Sequence, residues 1–265
     1  VTPGKGLAAP PEYVAAHGLL AGKTVLVTAA AGTGIGFATA RRCAEEGATV
    51  VISDLHERRL GEAARRLGEV AGREPLAVLC DVTDEGQVQS MWAQAEQRHG
   101  RIDVLINNAG LGGTAELADM TDEQWSTVID VTLNGTFRCT RAGLRHMRAH
   151  GRGVVVNNAS VLGWRAQPGQ SHYAAAKAGV MALTRCAAME AAPYGVRVNA
   201  VAPSLAMHPF LAKVTSEPLL EELTQREAFG RAAEPWEVAN VIVFLASDYA
   251  TYLTGEVLSV SSQHP

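Results

Sequence analysis

The chain has 265 residues, 47% of them apolar and 19% charged, enough to bury one large core and too few for two comfortable domains. Its formal net charge of −4, with no dense Lys/Arg stripe, argues against nucleic acid and anionic membranes as partners. No apolar run reaches membrane-spanning length, and Cys43, Cys80, Cys139 and Cys186 stand far apart without metal-ligand or redox spacing. They read as reduced core residues of a cytoplasmic protein, and no metal site is expected.

Val1 to Ala21 is rich in Pro, Gly and Ala, lacks the basic-then-apolar layout of a secretory signal, and reads as a surface extension. Residues 22–265 then alternate between strand-like and helical segments. Lys23 to Thr28 is a β-branched apolar run, followed by a Gly-rich turn and an amphipathic helix from Ile35 to Glu46. Strand-like runs recur at Thr49 to Ser53, Leu76 to Cys80, Val104 to Asn107, Val154 to Asn157, Val196 to Val201 and Val257 to Val260. Between them lie helical stretches, among them Asp84 to His99, Asp122 to His150, Ser171 to Ala192 and Pro235 to Ala246. Strands without strict alternation are buried on both faces, so the pattern predicts an α/β fold of the Rossmann type, a doubly wound parallel sheet flanked by helices on both faces. Pro203, Pro209 and Pro218 break the pattern over residues 204–231, where a substrate lid is expected at the carboxyl edge of the sheet.

The turn Thr28-Ala29-Ala30-Ala31-Gly32-Thr33-Gly34-Ile35-Gly36 joins the first strand to the first helix. Glycines there let backbone approach a pyrophosphate and leave N–H groups at a helix N-terminus to bind it. One strand later, Asp54 sits where an adenosine ribose would lie; it either accepts from the ribose hydroxyls, favouring NAD over NADP, or caps the next helix. Arg58 and Arg59 stand nearby on that helix. Asp81 could meet the adenine amino group, or cap the helix that starts near Asp84.

From Asn107-Asn108-Ala109-Gly110 and Tyr173-Ala174-Ala175-Ala176-Lys177 onwards, the sequence resembles the short-chain dehydrogenase/reductase family. The resemblance runs from Lys23 to Val260 and takes in Ser160, thirteen residues before Tyr173, the run Arg197 to Pro203, and Leu253-Thr254-Gly255-Glu256. It implies an alcohol–ketone oxidoreductase in which Ser160 donates to the substrate oxygen, Tyr173 exchanges the hydroxyl proton and Lys177 lowers the phenol pKa while holding the nicotinamide ribose. One helical turn puts Tyr173 and Lys177 on a common face. The dinucleotide is expected against Thr28, Gly32, Gly34, Ile35 and Gly36 on the phosphate side. Asp81, Val82, Asn108, Ala109 and Gly110 would line its middle, and Pro203, Leu205 and His208 the nicotinamide end.

Three departures from the family pattern stand out. Ala29 occupies the place of the first glycine, in a turn one residue longer than usual. Thr132 occupies the place of the Asn that completes a catalytic tetrad, with Asn134 two residues on; the register favours Thr132, whose hydroxyl would keep a relay water. His208 replaces a Thr that binds the carboxamide. A closer resemblance, over Asn157 to Cys186, Ala228 to Ala239 and the last five residues, is to dehydrogenases of late bacterial steroid degradation. Those enzymes oxidise a ring hydroxyl on a bicyclic methyl-octahydro-indanone carboxylate carried as its coenzyme A thioester, with NAD as acceptor. Trp164 and Met207 would then meet the apolar body of such a substrate, and Arg165 and Gln167 its polar parts. Alternatives are a 3-oxoacyl-thioester reductase, which Asp54 disfavours, and a non-catalytic nucleotide sensor on the same fold, which Ser160, Tyr173 and Lys177 disfavour. The small apolar faces of the helices at Asp122 to His150 and Ser171 to Ala192 resemble those that pair in the family's tetramers, so a homotetramer is expected.

Overall fold

The computed structural model describes residues 9–207, 211 and 217–262; His208 lies outside the described residues. Seven strands, β1 (Thr24–Val27), β2 (Thr49–Asp54), β3 (Leu76–Leu79), β4 (Val104–Asn107), β5 (Gly153–Asn158), β6 (Val196–Pro203) and β7 (Val257–Val260), pair in parallel in the order 3-2-1-4-5-6-7. The helices are α1 (Ile35–Glu45), α2 (Glu57–Ala71), α3 (Glu85–His99), α4 (Asp122–Ile129), α5 (Gly135–His150), α6 (Ser171–Ala191), α7 (Glu217–Arg226) and α8 (Pro235–Ala246).

The pleat sends successive strand residues to opposite faces. Val25, Val27, Ile52 and Ile106 pack with Phe37 and Cys43 of α1, Leu67 of α2 and Ile242 of α8. Leu26, Val51, Leu105 and Val155 pack on the other face with Met91 of α3, Met147 of α5 and Ala188 of α6. Two-sided burial is why the strands carry β-branched residues at consecutive positions. Cys43, Cys80 and Cys139 belong to these cores, but Cys186 is exposed on the outer face of α6, contrary to the core placement expected of it. Among the described residues no helix is long and apolar enough to cross a membrane.

The segment before β1 is held down by a buried ion pair. Arg42 reaches Glu46 at 2.6 Å and donates to the carbonyls of Val14 and Ala15, while Glu46 accepts from the N–H groups of His17 and Leu19, both at 2.9 Å. Tyr13 stands edge-on to Trp236 of α8, with ring centroids 5.2 Å apart.

The helix expected over Asp122 to His150 is broken by a π turn, Asp130–Asn134. Thr132, fully buried, both accepts from the Leu111 N–H at 3.0 Å and donates to the Leu111 carbonyl at 3.1 Å. Thr136 donates back to the Thr132 carbonyl at 2.8 Å. These bonds occupy the backbone where one extra residue widens the helix.

Candidate active site

In an open parallel sheet the ligand crevice lies at the carboxyl ends of the strands where the strand order reverses, here between β1 and β4. The Gly-rich turn leaves β1 at that point. Ala29 keeps the left-handed bend that glycine normally takes, with φ 49°, alone among the described non-glycine residues, and Gly32 follows with φ 112°. The longer turn is thus accommodated by an alanine in a glycine conformation. At Gly36 a Cβ would fall inside 3.0 Å of Ala29 O and Asn108 Nδ2, so only glycine fits. Gly34 begins α1 without a side-chain cap, and no acidic residue occupies the first turn beside Ile35. An eleven-residue helix with open N–H groups behind a Gly-rich turn suits a pyrophosphate, so the residues present fit a dinucleotide.

Thr28 takes a structural part: its hydroxyl accepts the N–H groups of Asn108 at 3.0 Å and Ala109 at 3.2 Å, tying β1 to the end of β4. Asp54 does not cap α2, whose first flanking residue is His56. Its carboxylate accepts from Ala31 N at 3.1 Å and His56 N at 3.0 Å, which leaves lone pairs for a ribose. Burial raises the Asp54 pKa, opposed by the Ala31 N–H and by Arg59. Asp81 holds the Thr83 N–H and hydroxyl, while Asp84 is the cap of α3. Val82 is buried against Gly135, beside the π turn.

Four asparagines join β4 to β5. Asn107 and Asn157 are in register and fully interior, bonded to each other at 2.8 Å and to Thr140 and Thr184. Asn108 and Asn158 form a second rung at 3.0 Å nearer the crevice. The importance of Asn158 was not read from the sequence; the repeated Asn-Asn at the ends of two neighbouring strands was the available signal.

Ser160 follows β5, and Tyr173 and Lys177 project from α6 into the same corner. Gly110 and Gly112 face them: a Cβ on Gly110 would lie 3.4 Å from Lys177 Nζ, and one on Gly112 3.8 Å from the Tyr173 ring. Ser160 accepts from Leu162 N at 3.2 Å and hydrogen-bonds Tyr173. Lys177 is buried, donates to the Asn158 carbonyl at 2.5 Å and stands 5.5 Å from the centre of the Tyr173 ring. Burial pushes the Tyr173 phenol up to about 12, with the Ser160 bond pulling the other way. Burial likewise pushes the Lys177 ammonium down to about 8. The expected lowering of the phenol by the ammonium is therefore absent here. Desolvation sets the phenol pKa, and the lysine hydrogen bond goes to a carbonyl and not to the phenol oxygen.

Thr132 is the residue turned inward, but both capacities of its hydroxyl go to Leu111, so it clamps the loop after β4 and leaves no donor for a relay water. Asn134 points elsewhere, donating to Asp130 at 3.0 Å. Trp164 lies exposed beyond Ser160, Arg165 and Gln167 are half-buried beside it, and His172 is buried against Gly113. Across the crevice Pro203 ends β6, and Leu205 and Met207 bond through their backbones to Ala233 at 2.8 and 2.9 Å.

Comparison with known proteins matches this arrangement. A family model described as enoyl-(acyl carrier protein) reductase covers residues 29–262. The chain is 64% identical over 261 residues, 98% of its length and 99% of the other's, to the "(5R,7aS)-5-hydroxy-7a-methyl-1-oxo-2,3,5,6,7,7a-hexahydro-1H-indene-carboxyl-CoA reductase" of Mycobacterium tuberculosis. It is 42% identical to a 3-oxoacyl-acyl-carrier-protein reductase of Thermotoga maritima, over 91% of this chain and 97% of that one. The crystal structure of a short chain dehydrogenase from Mycobacterium smegmatis superposes with a TM-score of 0.86 at 56% identity, covering 98% of this chain and all of the other. With its seven-stranded parallel sheet and its Ser160, Tyr173 and Lys177 corner, the chain belongs to the short-chain dehydrogenase/reductase family and is an oxidoreductase.

Proposed function

We propose that the chain interconverts a ring hydroxyl and a ketone on a bicyclic indene-type carboxylate carried as its coenzyme A thioester, with NAD as the partner cofactor. The observation that carries this reading is the 64% identity, end to end, with the Mycobacterium tuberculosis reductase whose name gives such a substrate. The cofactor, when bound, supplies or accepts the hydride. Gly32, Gly34 and Gly36 would take its pyrophosphate at the start of α1, and Asp54 its adenosine ribose. Asn108, Ala109 and Gly110 would lie along its middle, with Lys177 at the nicotinamide ribose.

Ser160 and Tyr173 perform the proton chemistry. Ser160 accepts the Leu162 N–H and bonds Tyr173, so its hydroxyl is held beside the phenol, where both would meet the substrate oxygen on which charge builds in the transition state. Tyr173 exchanges its proton with that same oxygen. A phenol held near 12 is neutral at physiological pH and is set to donate, while a lysine near 8 is mostly charged. Both states suit ketone reduction. Thr132 is a positioning residue that fixes the loop after β4 facing Tyr173.

Trp164 and Met207 are assigned to the bicyclic body, and Arg165 and Gln167 to polar parts of the substrate. Asp54 supports NAD over NADP by repelling a 2′-phosphate. The apolar side chains left exposed on α5 and α6, Phe137 and Met189, support a homotetramer built on these helices, and the unpaired cysteines support a cytoplasmic location. The test is to incubate the protein with NAD and the hydroxy-indane-carboxyl-CoA and follow NADH absorbance, with Tyr173→Phe as the control. NADH formation that Tyr173→Phe abolishes is expected. Turnover of a straight-chain 3-hydroxyacyl thioester instead would favour a 3-oxoacyl-thioester reductase, and turnover of neither a nucleotide-sensing protein.

A further inference from the structure

Ala29 adopts a backbone conformation that L residues avoid, because Cβ crowds the following carbonyl. Something must over-determine it. The Ala29 carbonyl accepts from Asn108 Nδ2 at 3.0 Å, and the same amide reaches the Thr28 carbonyl at 3.3 Å. The missing side chain of Gly36 makes room for that bond. An Asn amide can point either end at a neighbour, and turning this one over would aim its oxygen at two carbonyl oxygens.

The other end of the amide is held by Asn158, whose Nδ2 donates to Asn108 Oδ1 at 3.0 Å. The other end of the Asn158 amide, Oδ1, is buried and finds no partner among the described residues, so the side chain is committed to this one bond. The Asn158 backbone carbonyl, separately, takes the Lys177 ammonium at 2.5 Å. One residue at the end of β5 thus reaches the cofactor turn through the Asn108 amide and Lys177 through its own backbone carbonyl.

We propose that Asn158 is a positioning residue for the dinucleotide turn: by orienting the Asn108 amide it holds Ala29 in its left-handed bend. The proposal rests on reading that turn as the cofactor site. It makes a specific demand, that the need for Asn158 arises from Ala29 and fades when residue 29 no longer resists the bend.

The experiment is a double-mutant cycle on the full chain with Ala29→Gly and Asn158→Leu, reading NADH affinity by fluorescence titration and unfolding temperature without cofactor. Asn158→Leu should weaken NADH about tenfold alone but only about twofold when combined with Ala29→Gly, a coupling within the range seen for residues sharing one hydrogen-bond network. The unfolding temperatures should show the same non-additivity. The pH dependence of turnover should stay where it is, since the backbone carbonyl facing Lys177 is untouched. Equal penalties in both backgrounds, or a displaced pH profile, would overturn the proposal. If Asn158→Leu does not fold, Asn158→Asp keeps the size and removes the donor, and the same non-additivity is required of it. Failure of the unaltered protein to bind NADH would defeat the cofactor reading alone, because the unfolding cycle still decides the role of Asn158.

Discussion

Replacing Gly36 by alanine tests whether the Gly-rich turn is packed as tightly as its geometry indicates. The new Cβ would sit inside 3.0 Å of Ala29 O and Asn108 Nδ2 and 3.1 Å from the Ala29 carbonyl carbon. None of these is the tip of a free side chain: Ala29 is locked in its bend, and Asn108 is held by Asn158. Relief requires the turn to back away from α1, and overpacking of this kind costs about 1–3 kcal/mol. For a chain of this size each kcal/mol moves the midpoint by about 2–4 °C, so a mid-range cost of about 2 kcal/mol lowers it by roughly 4–8 °C. NADH affinity should fall with it, because the N–H groups that would meet the pyrophosphate shift too. The assay is thermal unfolding by circular dichroism alongside an NADH fluorescence titration. Gly61→Ala in α2, where an added Cβ meets nothing within 4 Å, is the control and should be neutral or slightly stabilising. An unchanged midpoint and unchanged NADH binding in Gly36→Ala would refute both the packing and its assignment to the cofactor.

Glu46→Gln breaks a fully buried ion pair and should cost about 3–5 kcal/mol, read as a lowered urea midpoint and faster proteolysis before residue 20. Burial alone would raise the Glu46 pKa, but the N–H groups of Leu19 and His17 with Arg42 hold it below the usual carboxylate value. Its contribution is therefore present above the unfolded pKa and lost as pH falls through the folded one, so the acid limb of stability should flatten in the variant. Thr132→Val strips two hydrogen bonds from Leu111 and should cost about 2 kcal/mol and lower kcat/KM, with the pH profile in place; a shifted profile would restore a relay role. Lys177 is charged and buried below about pH 8, a penalty relieved between there and its unfolded value of about 10. Lys177→Met, although inactive, should gain stability relative to the unaltered protein at neutral pH and lose that advantage as pH rises through this window, measurable by urea unfolding at several pH values.

The sheet was legible because its strands are buried on both faces, so runs such as Val25-Leu26-Val27 stand out against polar helices. The Ser160, Tyr173 and Lys177 corner was legible because a Ser, Tyr and Lys at that spacing follow a Gly-rich turn and Asn107-Asn108-Ala109-Gly110 in the order the family resemblance requires. What a one-dimensional pattern does not carry is competition for hydrogen bonds. Thr132 was correctly turned inward, yet its hydroxyl goes to Leu111, 21 residues away, and the π turn accompanying it cannot be seen in apolar spacing. The phenol and ammonium were paired by the one-turn spacing and the family resemblance, whereas burial dominates both groups, raising the phenol and lowering the ammonium. Cys186 lies in an apolar stretch but faces outward, because α6 has a second apolar face beyond the one that covers the sheet.

The clasp formed by Arg42, Glu46 and Tyr13 ties the segment before β1 to Trp236 of α8. Trimming the chain to begin at β1 would strip two opposite charges and an indole face of their cover, so the segment before β1 is part of the folded unit and not a dispensable leader to it.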